Sequence, residues 1–180
     1  MIKTFPNCVQ EYGTAYDVKK AVDDGVIYKI EKGIYADTPN ISTLAIITTK
    51  YPSAIITMDT AFYYHNLTDV IPDKYYLATS SSARALRDKR IKQIFIKDEF
   101  LNLGLTEMTR RDATFKIYDR ERMLIELLRF KNKLPYDYYK EILRQYRNLL
   151  YELDIARIQE YADIFPKSKL IKESLEREVF

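Results

Sequence analysis

GTAYDVKKAVDDGVIYKIEKGIYA, residues Gly13 to Ala36, decides the expected fold of the N-terminal part. Thr14 followed three residues later by Asp17 spells a capping box, so a helix starts there. Ala15, Val18, Ala21 and Val22 recur at helical spacing and form a narrow apolar stripe, leaving Tyr16, Lys19, Lys20 and Asp23 outside it. Gly25 stands where a glycine ends a helix. Val26 to Ile30 and Ile34 to Ala36 then read as two short strands turning through Glu31-Lys32-Gly33. A small helix feeding a hairpin with lysines near its tip is the pattern of the recognition helix and wing of a winged helix-turn-helix. Such a helix can enter a DNA major groove while Lys29 and Lys32 reach phosphate. The same pattern also fits an ordinary α-β-β unit with solvated lysines. Residues 1–36 carry Lys3, Lys19, Lys20, Lys29 and Lys32 against Glu11, Asp17, Asp23, Asp24 and Glu31, so binding to DNA requires that the cations be gathered apart from the acids. Only Met1 to Tyr12 precede the helix, and Pro6 is expected to interrupt that segment and leave any first helix brief.

The chain has 180 residues, enough for one domain or a small one plus a medium one, and its 47% apolar content supplies a core. The net charge of +3 argues for no partner class by itself. A single cysteine, Cys8, excludes an internal disulfide and fits a reducing compartment. No apolar run approaches the roughly 20 residues of a membrane span, and MIKTFPNC lacks the apolar core of a signal peptide. A cytoplasmic protein with no membrane partner is expected.

Asp37-Thr38-Pro39-Asn40 is turn chemistry, and the domain boundary is expected there, dividing residues 1–37 from 38–180. The expected class is α+β: a small N-terminal winged helix-turn-helix, then a mixed α/β domain ending in a run of helices. Helices are expected over Ile41–Lys50, Thr57–His65, Arg120–Phe130, Tyr136–Leu150, Leu153–Phe165 and Lys167–Phe180. Asp119 caps the third of these, with Met123, Leu124, Leu127 and Leu128 on its inner face. Strands are expected at Lys74–Thr79, Gln93–Lys97, Leu103–Met108 and Thr114–Tyr118. Between Arg84 and Lys97 lie Arg84, Arg87, Lys89, Arg90, Lys92 and Lys97 against Asp88 alone, the densest basic block in the chain. It is either a solvated face or a second surface for phosphate, with Arg84, Arg87, Lys89 and Arg90 as the candidate contacts.

Catalytic chemistry finds little support. Zinc needs several Cys or His ligands, and the chain offers Cys8 and His65. Its four glycines are dispersed, so no phosphate loop exists. Asp17-Val18-Lys19 lies on a helix without a preceding partner acid, unlike a metal-nuclease motif. No cofactor is expected.

The order of parts resembles the AbiEi family, the antitoxins of bacterial abortive-infection (phage-resistance) systems classed as type IV toxin–antitoxin. The residues that carry the resemblance are KIEKGIYA at Lys29–Ala36, YPSAIITMDTAFYYHNLTDVIP at Tyr51–Pro72, KYYLAT at Lys74–Thr79 and IYDRERMLIELLR at Ile117–Arg129. The chain departs from the family pattern in its abbreviated N-terminus. The resemblance implies a two-part protein. Its winged helix, through Tyr16, Lys19, Lys20, Lys29 and Lys32, would bind inverted repeats in double-stranded promoter DNA and repress the operon. Its C-terminal part would counteract a nucleotidyltransferase-like toxin without needing a stable complex. Two other readings are a C-terminal enzyme modifying the toxin or its target, and a module that sequesters the toxin without binding DNA.

Overall fold

A computed structural model describes all of residues 1–180. It contains nine α-helices and eight strands in two sheets and ends in a run of helices. The chain forms two compact units, residues 1–54 with 107–115, and residues 55–106 with 116–180.

In the first unit β1 (Ile2–Thr4) leads directly into α1 (Phe5–Tyr12). Pro6 does not break this segment; it lies in the first helical turn, where a missing N–H leaves no bond unmade. Gly13, at φ 108°, ends α1 with its N–H on the Val9 carbonyl at 2.8 Å. The expected capping box then opens α2 (Ala15–Asp23): Thr14 Oγ1 accepts the Asp17 N–H at 3.2 Å, and Asp17 Oδ2 accepts the Thr14 N–H at 3.1 Å. Gly25 follows α2 at φ 71°, as a terminating glycine should. The hairpin β2 (Tyr28–Glu31) and β3 (Ile34–Ala36) pairs antiparallel, and β1 adds to its other side, giving the order β1-β3-β2.

Cys8, Val18, Ala21, Ile27 and Tyr35 form the core of this helix pair and hairpin. All three residues of β3 are buried, so the strand is covered on both faces. It touches α1 and also α3 (Thr43–Lys50), which lies against β1 as well. The expected boundary at residues 37/38 therefore differs from the observed division, which falls after Ala54. Leu44, Ala45, Ile46 and Ile47 of α3 are all buried and need that sheet to cover them. Ser42 caps α3 through the Ala45 N–H and donates its own N–H to Asp112 at 2.9 Å, and Lys50 pairs with Glu31 at 3.0 Å.

The second sheet has the order β6-β5-β4-β8-β7, from β4 (Ile55–Ile56), β5 (Tyr75–Ser80), β6 (Ile91–Ile96), β7 (Leu105–Arg110) and β8 (Ala113–Tyr118). β5 and β6 run parallel, Tyr75 opposite Ile91 and Ser80 opposite Ile96. Residues 81–90 must therefore return the length of a strand, about 17 Å. They cross without helix or strand, turning at Ser81–Ser82 and again at Lys89–Arg90.

After α4 (Met58–Tyr64) and the single turn α5 (Asp98–Leu101), α6 (Arg120–Phe130) is the central helix of the second unit, touched by α4, α7 (Tyr136–Asn148), α8 (Ile155–Ile164) and α9 (Ser168–Glu178). Asp119 caps it as expected, accepting the Arg122 N–H at 2.7 Å. The expectation of a single inner face is corrected: every residue from Glu121 to Leu128 is buried. Arg122 is inaccessible to solvent and donates to Glu126 at 2.7 and 3.0 Å and to the Phe100 and Leu103 carbonyls at 3.0 and 3.1 Å. Its guanidinium lies over the rings of Tyr118 and Phe165. Gly104 makes room for it, since a Cβ there would stand 2.5 Å from Arg122 Cβ. No helix is long and apolar enough to cross a membrane.

Candidate nucleic-acid interface

α2 buries Val18 and Ala21 and turns Tyr16, Lys19, Lys20 and Asp23 outward, the i, i+3, i+4, i+7 positions of one face. Tyr16 is 74% exposed, although a tyrosine ring is usually half-buried. Lys29 projects from β2 and Lys32 from the turn beside Gly33, both exposed. The hairpin also exposes Tyr28, at 41%, which sequence reasoning did not single out. Its outward place was legible only from alternation with Ile27, which enters the core.

The formal balance of charge in residues 1–36 is resolved by how the acids are held. Glu11 pairs with Lys3 at 2.7 Å, Glu31 with Lys50 at 3.0 Å, and Asp17 is the capping-box carboxylate. Lys19, Lys20, Lys29 and Lys32 have no carboxylate within salt-bridge reach. The unneutralised acids are Asp23 and Asp24 at the C-terminal end of α2, and Asp23 shares the outward face with Lys19 and Lys20. Four solvated ammonium groups on a short helix and a hairpin, with an exposed tyrosine at the helix start, form a surface that can contact phosphate and base edges.

The basic block of the second unit is less uniform than its sequence. Arg90 is clamped to Asp88, with Nε to Oδ1 at 2.9 Å and Nη2 to Oδ2 at 2.6 Å. Lys92 lies over the Tyr76 ring at 4.8 Å, and Lys97 faces Glu99 at 3.7 Å. Arg84, Arg87 and Lys89 remain exposed and unpaired on the 81–90 crossover. Gln93 pins that crossover: its Oε1 accepts the Leu86 N–H at 2.8 Å, and its Nε2 donates to Thr79 Oγ1 at 2.7 Å and the Arg84 carbonyl at 3.2 Å.

Cys8 and His65 each serve packing. Cys8 is fully buried in the first unit, and burial pushes its thiol above the usual range, away from the reactive thiolate. His65, in the second unit, is buried with Nε2 at 2.7 Å from the Tyr118 carbonyl, so that nitrogen carries a proton. The charged start of α6 is a cap and a buried ion network, with Glu121 accepting the Asp154 N–H at 3.0 Å. Compared with protein-family models the chain matches none, and no curated protein sequence matches it.

Proposed function

We propose that the chain is an antitoxin of the AbiEi type that also represses its own operon, with residues 1–37 acting as a winged helix-turn-helix on promoter DNA. The observation that carries the DNA-binding part is the excess of unpaired lysines on α2 and the hairpin. Glu11, Glu31 and Asp17 are engaged by Lys3, Lys50 and the α2 cap, which leaves Lys19, Lys20, Lys29 and Lys32 unpaired against only two free acids, Asp23 and Asp24. α1, the Gly13 turn and α2 supply the two helices of such a motif, α2 is the recognition helix, and β2–β3 is the wing. The antitoxin part rests on the resemblance of the Tyr51–Pro72 and Ile117–Arg129 segments. Its target is a nucleotidyltransferase-like toxin.

A gel shift on DNA upstream of the chain's own coding sequence tests the reading. Specific binding should fall steeply with salt, because each phosphate contact releases counterions. Lys19→Ala with Lys20→Ala should weaken it at least tenfold, two contacts at about 1 kcal/mol each exceeding that factor. Unchanged binding by the folded double variant would remove α2 from the interface.

A further inference from the structure

The second unit holds a concave groove of about 620 Å³ between the single turn Lys131–Lys133 and α9. That volume is in the range of small-molecule sites. Leu128, Phe130, Leu170 and Ile171 give it an apolar floor, and Leu170 is 57% exposed. Five cations line it, and the structure sorts them. Arg129 is held by both oxygens of Glu126, at 3.0 and 2.9 Å, and Lys131 by Glu178 at 2.7 Å. Lys133, Lys167 and Arg177 have no carboxylate partner. The Lys133 ammonium rests over the Phe130 ring at 5.1 Å. One carboxylate of the lining, Glu173, is itself unpaired and opposes an anion.

We propose that this groove binds a phosphorylated small molecule, its phosphates held by Lys133, Lys167 and Arg177 and its organic part laid on Phe130 and Leu170. Three unpaired cations around so small a space match several negative charges packed closely together, as in a polyphosphate chain; a single carboxylate would answer only one of them. The Arg177 fork suits two phosphate oxygens at once. Lys133, drawn to phosphate, leaves the face of Phe130, which then takes a planar ring. The site is independent of α2 and of the DNA reading.

Isothermal titration of the full chain at low ionic strength, with ATP, GTP, tripolyphosphate and adenosine as separate probes, tests this. A nucleotide should bind and adenosine should not. Tripolyphosphate binding as tightly as ATP would still support the site and assign recognition to the phosphate chain; weaker binding would assign part of it to the nucleoside. The Lys133→Ala, Lys167→Ala, Arg177→Ala variant alters exposed side chains and should keep its unfolding midpoint while losing at least about tenfold in affinity. Glu173→Gln should bind more tightly, and Lys19→Ala with Lys20→Ala should bind as the wild type does. The proposal is overturned if no phosphate compound binds, if the triple variant binds equally well, or if the triple variant loses affinity only for duplex DNA.

Discussion

A guanidinium removed from water survives folding only if its hydrogen bonds are remade inside the protein. Arg122 meets that condition through Glu126 and the Phe100 and Leu103 carbonyls. Truncation to Arg122→Ala leaves the Leu103 carbonyl without this donor, takes one of several donors from the Phe100 carbonyl and opens a cavity between Tyr118 and Phe165, although Arg129 still neutralises Glu126. The variant should lose about 3–5 kcal/mol, a large part of a typical domain's stability, as read from urea unfolding. A loss under about 1 kcal/mol would mean the network contributes little. Asp119 gives a second test with a pH signature. Burial pushes its carboxyl above 3.8, outweighing the hydrogen bonds from the Arg122 N–H and Tyr161 Oη that pull it down. The folded state thus holds this proton to higher pH than the unfolded chain, so the stability it contributes is complete at low pH and is lost as pH rises through the folded value. Asp119→Asn keeps the cap and carries no charge. Its stability relative to wild type should rise across that window and level off above it, and a relative stability that falls as pH rises would refute the burial argument. Asp119→Ala loses the cap and should cost about 1–2 kcal/mol at neutral pH.

At the scale of elements, the features legible in the sequence are those set by neighbours a few residues apart. Thr14 with Asp17, Gly25 after α2, and Asp119 before α6 are local chemistry, and each helix starts or stops where they stand. The character of α6 was not legible. Arg122 and Glu126 alternate with leucines as an outer polar face would, and only the approach of Phe100, Leu103 and Phe165 turns them into core. The basic block is a similar case, since a run of cations does not reveal that Arg90 is clamped to Asp88. Nor did the sequence single out Gln93, whose side chain holds the crossover that carries Arg84, Arg87 and Lys89. Gln93→Ala removes three hydrogen bonds, each worth about 1 kcal/mol. Local opening of residues 81–90 should become more frequent, and trypsin should cut after Arg84, Arg87 or Lys89 at least about fivefold faster. Mass spectrometry of the first fragments checks this, and an unchanged cleavage rate would show the crossover is held by something other than Gln93.

For the whole molecule the decisive fact is the long-range closure of the first unit. Asp37-Thr38-Pro39-Asn40 looks like a linker because its turn residues are visible locally, whereas the cover that α3 needs comes from β3 just before it, from β1 some forty residues earlier and from residues 107–115. A fragment of residues 38–180 would lose β1 and β3 from beneath Leu44 and Ile47, so it should bind a hydrophobic dye and be cut within residues 43–54. The proposed neutralisation and repression must therefore be separated by point variants in the full chain rather than by truncation. In cells arrested by the proposed nucleotidyltransferase-like toxin, Lys19→Ala with Lys20→Ala, expressed from a foreign promoter, should rescue growth as wild type does, because both lysines are exposed and outside every core. Arg122→Ala should fail to rescue as its soluble level falls. If the lysine variant is folded and equally abundant yet cannot rescue, neutralisation itself works through α2, and the proposed division of labour between the two units is wrong.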